Sequence, residues 1–427
     1  VQKMIFEKKR MKMKTFFTLT AAAALMLCAF MIIASADVMA ADNYYKGRGT
    51  SSSPYKLSSA ADLYHLAAKV NKGTTYKGKY FRVTRNIDLK SRAWTPIGGK
   101  DNGSGSAKYK FRGNFNGNNK TISGLHVSVQ AGYCGLFGYN LGTVKSFTLK
   151  GSVTCTPAKD AGYIGGVVGF NAGTVRNVTS YVRVKAGTSS RTVCAVNIGG
   201  IAGFNTSGRY VWYDGTKDRQ ATVSGAKGII TACTNKGTIT GERRIGGIAG
   251  ENAGVISRCG NTAGVYTTFS TSSKRGSGSG GGYGNGYGGI AGRNGNNNTA
   301  YETGTITDCY NTGEIGPYTG TDSRWYGGIT GFQNNYSSIT NCYTTGTLRA
   351  GYEDWYPAAG RQDPAAKVTN TYSLDTIASA SDASAEEKYC GIRKTADEMK
   401  TETFAALLGG AFRTDTAGIN GGYPVLK

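Results

Sequence analysis

One four-residue cassette returns six times in a single frame, and it constrains the fold more than any other feature of the chain. It reads Gly135-Leu136-Phe137-Gly138, Gly166-Val167-Val168-Gly169 and Gly200-Ile201-Ala202-Gly203. It then recurs as Gly247-Ile248-Ala249-Gly250, Gly289-Ile290-Ala291-Gly292 and Gly328-Ile329-Thr330-Gly331. Successive copies are 31, 34, 47, 42 and 39 residues apart. Periods of this size signal stacked repeats, each of which buries its apolar face only against its neighbours.

A second string follows each cassette. Ile306-Thr307-Asp308-Cys309-Tyr310-Asn311-Thr312-Gly313-Glu314-Ile315 aligns with the stretch from Ile339 to Leu348, and copies run from Ile230, Ile256, Val144 and Val175. Phe147, Val178, Cys233, Cys259, Cys309 and Cys342 share one place in this frame. A place that accepts Phe, Val or Cys is an apolar core place, so these four cysteines are expected as buried free thiols. Cys155 and Cys194 both fall after a third strand, which leaves a pairing between them open.

Short β-branched runs separated by Gly and Asn read as strands joined by tight turns. The cassette, the [Ile/Val]-x-x-[Cys/Phe/Val] run and the Gly-x-[Ile/Val/Leu] run give about three strands per coil. The expected fold is all-β: a parallel β-helix, right-handed, of seven or eight coils. Asn140, Asn171, Asn205, Asn252 and Asn294 trail the cassettes, with Gln333 breaking the series, and Asn235, Asn261 and Asn311 form a second column. Stacked amides that hydrogen-bond along the column explain both.

Open ends of such a stack need covers. Ser59-Ala60-Ala61-Asp62 opens a helical pattern with Leu63, Leu66, Ala67 and Val70 on one face. Thr395-Ala396-Asp397-Glu398 is a capping box leading to Phe404, Leu407 and Leu408 before Gly409-Gly410. The domain reading is a signal peptide over 1–36, an N-terminal capping region over 37–110, the β-helix over 111–373 and a C-terminal helical cap over 374–427. The signal reading rests on Lys8, Lys9, Arg10, Lys12 and Lys14 before an apolar stretch from Phe16 to Ile33, then Ala34-Ser35-Ala36. No later stretch is apolar enough to span a membrane, so none is expected after cleavage.

The cassette with its trailing Asn, and the Ile-x-x-Cys-Tyr-Asn-x-Gly-x-Ile string, resemble the GLUG-motif repeats of bacterial surface proteins. The leader elements Tyr80-Phe81-Arg82-Val83-Thr84, Trp94-Thr95-Pro96-Ile97-Gly98 and Phe111-Arg112-Gly113-Asn114-Phe115-Asn116-Gly117 fit the same architecture. So does the close at Gly422-Tyr423-Pro424-Val425-Leu426. The resemblance implies exported, β-helical, adhesin-like or accessory modules, some attached to IgA-cleaving metallopeptidases. It implies no general catalytic residue.

The net charge of +24 predicts attraction to anionic wall polymers or acidic glycans. Nothing resembles a groove-reading motif and the charge is spread along the chain, so no specific nucleic acid is expected. The two histidines, His65 and His126, lie in different elements and no His-Glu-x-x-His occurs, which removes a zinc peptidase. Gly286-Tyr287-Gly288-Gly289-Ile290-Ala291 matches a dinucleotide fingerprint only as a string, because a strand follows it. No cofactor is expected. Asp88, Asp308 and Asp354 fall in unlike repeat positions, so no carboxylate column forms for a polysaccharide-cleaving enzyme.

Loops on a rigid scaffold carry recognition. The candidate ligand contacts are Trp212 with Tyr213, Trp325 with Tyr318 and Arg324, and Trp355 with Tyr352 and Tyr356. Aromatic platforms of this kind suit sugar stacking or protein contact. Tyr287 and Tyr326 align with Ile164, Ile198 and Ile245 and are expected to pack inside. The function read from the sequence is an exported, secreted or wall-associated binding scaffold for cell-wall polymer, glycan or host surface protein. The alternatives are a polysaccharide-active enzyme and a passive spacer held by charge alone.

Overall fold

The computed structural model describes residues 44–99, 109–129, 132–156, 162–186, 196–213, 218–268, 286–295, 303–317, 325–349, 355–378 and 387–427. The reading of 1–36 as a signal peptide lies outside these residues. The chain is a parallel β-helix built from three sheets. One long sheet carries the string that contains the cysteine place, and two seven-stranded sheets flank the glycine cassettes. All three sheets pair in register. Val144, Val175, Ile230, Ile256, Ile306, Ile339 and Val368 follow one another rung by rung. Because equivalent residues stack, one apolar core runs from Tyr45 near the start to Ile377 near the end. Isolated bridges at Ile97 and Phe111 begin an eighth rung below the seven.

Half of the cassette is a strand, as expected, and half is a bend. Gly166 and Val167 turn the chain between Gly162–Gly165 in the second sheet and Val168–Asn171 in the third, and the last two cassette residues open the latter strand. The second cassette residue points inward, and Leu136, Val167, Ile201, Ile248, Ile290 and Ile329 are all fully buried. The bend itself is hydrogen-bonded between rungs: Ile201 donates to Ile248 O at 3.1 Å and Ile248 to Ile290 O at 2.9 Å.

Close approach explains the glycines, since Gly166, Gly200, Gly247, Gly289 and Gly328 have no left-handed φ. A Cβ on Gly289 would strike the Gly328 carbonyl of the next rung and the Asn311 amide. A Cβ on Gly331 would strike the backbone nitrogen of Tyr287 one rung back. The two flanking strands are thus folded together to backbone contact.

Left-handed backbone occurs elsewhere, at the residue before the cysteine place. Ser146, Asn177, Ala232, Arg258, Asp308, Asn341 and Asn370 all have φ between 45° and 61°. Asparagine suits that conformation and Ala or Arg does not.

The amide columns form as expected. Asn140, Asn171, Asn205 and Asn252 each donate Nδ2 to the next Oδ1 at 2.8 Å, and Asn294 donates to Gln333 Oε1 at 3.0 Å. Asn235, Asn261 and Asn311 repeat the device at 2.8 Å. Each amide also closes its own turn. Asn235 Nδ2 donates to Gly237 O at 3.0 Å and Gly237 N donates to Asn235 Oδ1 at 3.2 Å. That turn interrupts the strand. Where Ser180 occupies the place, Thr174–Ala186 is one strand and the coil has three. Where Asn235 occupies it, the run breaks into Ile229–Thr231, Thr234–Asn235 and Ile239–Gly241, and the coil has five.

Sheet pairing extends beyond residues 111–373 at both ends. The helix Ala60–Val70 buries Leu63, Leu66, Ala67 and Val70, with Ser59 and Asp62 forming its capping box. Solenoid pairing nevertheless begins within 37–110. Tyr55–Leu57 pairs with Tyr80–Val83, which pairs with Asn114–Val129. At the other end Ile392–Lys394 still extends the long sheet. The helices Ala396–Met399 and Glu402–Leu407 and the hairpin Phe412–Arg413 with Val425–Leu426 then lie along its flank. They cover an outward ladder of Tyr310, Tyr343 and Tyr372 with Met399, Phe404 and Phe412. Tyr343 donates its hydroxyl to Pro424 O. Burial raises the Tyr310 phenol to about 12. The true end is closed by Glu387–Cys390, where Ala358 N donates to Tyr389 O at 2.9 Å.

Two substitutions test these constraints. Gly331→Ala should lower the unfolding free energy by about 3 kcal/mol, while Gly410→Ala, with open space around it, should change it by less than about 0.5 kcal/mol. Equal melts for the two variants would contradict the close-approach account. Ala232→Asn should raise stability by about 0.5–1 kcal/mol in denaturant titration, because the exposed left-handed site then holds the residue used at 177, 341 and 370.

Candidate functional site

The structure disperses the nominated aromatics. Tyr318, Arg324 and Tyr352 lie outside the described residues. Trp212 and Tyr213 belong to a hairpin, Arg209–Tyr213 paired antiparallel with Asp218–Thr222. Trp325 and Trp355 fall on opposite faces of the second sheet. Trp355 is in register with Tyr326, which is in register with Tyr287, and that column faces the core. Tyr356 is buried with its ring 5.2 Å from Tyr389. Trp355 is thus partly buried against the core and Tyr356 is buried beside Tyr389. Tyr287 and Tyr326 are fully buried, as expected from their alignment with isoleucines.

Trp325 sits on the outer side, in the fold between the second and third sheets. That fold has its own filling. Tyr133, Tyr163, Phe170 and Phe204 occupy the early rungs, with Tyr139 and Phe170 centroids 4.5 Å apart. In later rungs the same column reads Glu251, Arg293, Phe332 and Arg361. Arg244 Nη1 meets Glu251 Oε2 at 2.8 Å, and the buried Arg293 donates Nε to Asn334 Oδ1 at 2.6 Å. Trp325 stacks on Phe332 at 4.8 Å, and the Arg361 guanidinium stands 4.9 Å from the Trp325 centroid. Cation and ring alternate up this fold, so Trp325 is a packing residue of the corner, not an open platform.

The buried cysteines follow the frame. Cys233, Cys259, Cys309 and Cys342 are free and fully buried. Cys259 N donates to Cys309 Sγ and Cys309 N to Cys342 Sγ, each at 3.4 Å. Burial pushes the Cys233 and Cys309 thiols upward. Cys155 is in no disulfide among the described residues; its thiol hydrogen-bonds with that of Cys134, whose pKa rises first from that hydrogen bond and then from burial. Cys194 lies outside the described residues. His65 stacks on Tyr44 at 3.7 Å, and His126 Nδ1 is 3.4 Å from Ser152 Oγ. Among the described residues no group of three His, Cys, Asp or Glu is placed to hold a metal. No described helix is long and apolar enough to cross a membrane.

Charge, by contrast, is gathered more than the sequence indicates. The adjacent strands Asn114–Val129, Thr143–Cys155 and Thr174–Ala186 carry Lys120, Lys145, Lys150, Arg176, Arg183 and Lys185, and no Asp or Glu. All six are exposed or half-exposed. Lys145 is in register with Arg176, and burial, then that guanidinium, lowers its pKa. Beside this basic face, a trough of about 510 Å³ runs along the outer side of the long sheet. Its floor includes Thr148, Thr179 and Thr234 on successive rungs, and the terminal hairpin walls it. The missed signal was present in the repeat frame: each of these threonines directly follows the core place held by Phe147, Val178 and Cys233.

Comparison with known proteins locates the fold and little else. No family model matches the chain. "Halomucin" from Haloquadratum walsbyi is 34% identical over 143 residues, which is 32% of this chain and 2% of that protein. "Putative Gly-rich membrane protein" from Evansella cellulosilytica is 30% identical over 142 residues, 31% of this chain and 15% of that protein. The chain thus spans a small part of either relative. A crystal structure described as a "putative immunoglobulin A1 protease" from Bacteroides ovatus superposes with a TM-score of 0.52 at 18% identity, over 90% of this chain and 94% of that one. At that identity the likeness concerns the fold.

If Trp325 is a packing residue, its partners should be energetically coupled. A double-mutant cycle of Trp325→Ala and Arg361→Ala should give a coupling of about 0.5–1 kcal/mol in chemical unfolding. A coupling near zero would return Trp325 to the list of free platforms.

Proposed function

We propose that this chain is an exported, surface-associated β-helix that works as a binding scaffold of the adhesin-like kind, without catalysis of its own. The observation that carries the reading is the acid-free basic face on three register-locked strands. A rigid array of fixed cations recognises an extended polyanion at low ordering cost, because the scaffold is already organised. Anionic cell-wall polymer, glycan and host surface protein are the partners of this class. The names of the two sequence relatives, a mucin-like name and a membrane protein, support a place at the cell surface. The GLUG-like repeat supports the same place.

The sequence of the insertions adds to this reading. Residues 157–161, 187–195, 269–285, 318–324 and 350–354 vary in length and composition between copies of the repeat, while the cassettes keep their frame. Variable loops above an invariant frame are how a scaffold acquires specificity.

The purified chain should be retained on isolated bacterial cell envelope or on immobilised acidic glycan at about 0.15 M salt, with part of the retention persisting at several times that ionic strength. Replacing 318–324 and 350–354 by Gly/Ser segments should change which glycans bind on an array. Retention that disappears wholly with added salt would favour a spacer held by charge alone. Release of reducing sugar from the bound glycan would favour the enzyme.

A further inference from the structure

The trough on the outer side of the long sheet has a chemistry distinct from the general basic face. Thr148, Thr179 and Thr234 stand in register on three successive rungs. Two residues further along each rung come Lys150, Tyr181 and Lys236. Lys150 Nζ lies 5.5 Å from the Tyr181 ring centroid and Lys236 Nζ lies 5.7 Å from it, so the tyrosine is flanked by an ammonium from each neighbouring rung. Tyr181 is 42% exposed. Among the described residues no Asp or Glu lines the trough, and Ile419, Asn420, Val425 and Leu426 contribute to its wall.

From this juxtaposition of a threonine row with a Lys–Tyr–Lys row we infer that the trough is a binding site for an unbranched, carboxylate-bearing polysaccharide lying along the solenoid axis. This rests on the scaffold reading above and narrows it to one face and one ligand class. Each threonine hydroxyl both donates and accepts, which matches the hydroxyls of a sugar. The two ammoniums are two rungs apart, about 9.6 Å by strand spacing. One fixed cation per two rungs suits a chain with one carboxylate per disaccharide better than a densely sulfated one. The ring faces of Tyr181 are turned to the lysines, which leaves no flat platform for stacked bases, the device on which single-stranded nucleic acid binders rely. The lysines hold their positions through the ring, and this reduces the side-chain entropy lost on binding.

The test uses the full chain and four probes at about 0.15 M salt: hyaluronan oligosaccharide, dextran, dextran sulfate and oligo(dT), followed by calorimetry. Hyaluronan should bind, and dextran should not. The double variant Lys150→Ala/Lys236→Ala should weaken hyaluronan binding about tenfold, a change of about 1.4 kcal/mol. Lys150→Arg/Lys236→Arg should keep most of the affinity, and Thr179→Val should reduce it about threefold. All three substituted positions, 150, 179 and 236, are exposed or half-exposed, and circular dichroism melts check that each variant is folded. Unchanged hyaluronan affinity in the Lys→Ala double variant overturns the inference, as does tighter binding of oligo(dT) or dextran sulfate that survives it. If that variant still adheres to cell envelope while losing hyaluronan, the trough is confirmed and the scaffold has a second contact. If the parent chain adheres to envelope but binds no hyaluronan, the trough falls and the scaffold stands.

Discussion

Two strands of each coil fold back on one another until their backbones touch, and the remaining structure is organised by that contact. A side chain at Gly331 would hold the strands apart. With the strands together, the inward residue of each bend, such as Ile248 or Ile290, is delivered to the core and its amide is delivered to the rung above. The outer side of the same fold becomes a narrow slot with its own filling, aromatic in the early rungs and alternately cationic and aromatic in the later ones. A single steric condition therefore sets the core, the axial ladder and the corner.

The amide columns act on a different link of the chain from sequence to structure. A buried asparagine has four hydrogen-bonding capacities, and in a column each amide spends them on its own turn and on its neighbours. Burial is tolerated because little is left unsatisfied. The exception falls where the series breaks: Gln333 accepts from Asn294, but its Nε2 is buried without a partner. The longer side chain reaches the ladder but no longer closes a turn. The same device interrupts the strand at Asn235, in a run that Ser180 leaves continuous.

Much of this could be read from the sequence because repetition in one frame leaves in-register stacking as the simplest way to bury every copy. The cysteine place and both amide columns follow from that alone, and the buried face of the first helix follows from its own helical period after the Ser59 cap. The strand before each cassette escaped notice because it is only two to four residues long and rich in glycine, as in Ile245–Gly246. The fate of Trp325 and Trp355 turned on which side of a strand each occupies, and a shift of one residue exchanges core for exterior. The basic face and the trough were hidden for another reason. Lys150, Tyr181 and Lys236 are 31 and 55 residues apart in the chain, and insertions of unequal length obscure their common place in the coil.

The way the terminal segment lies across Tyr310, Tyr343 and Tyr372 has a mechanical consequence. In a stack whose hydrogen bonds run parallel to its axis, tension between the two ends would part the rungs one at a time, like a zip. A clasp anchored on three rungs joins them into one unit, so the last rungs must yield together. Under such tension, that arrangement turns the most vulnerable end into a reinforced one.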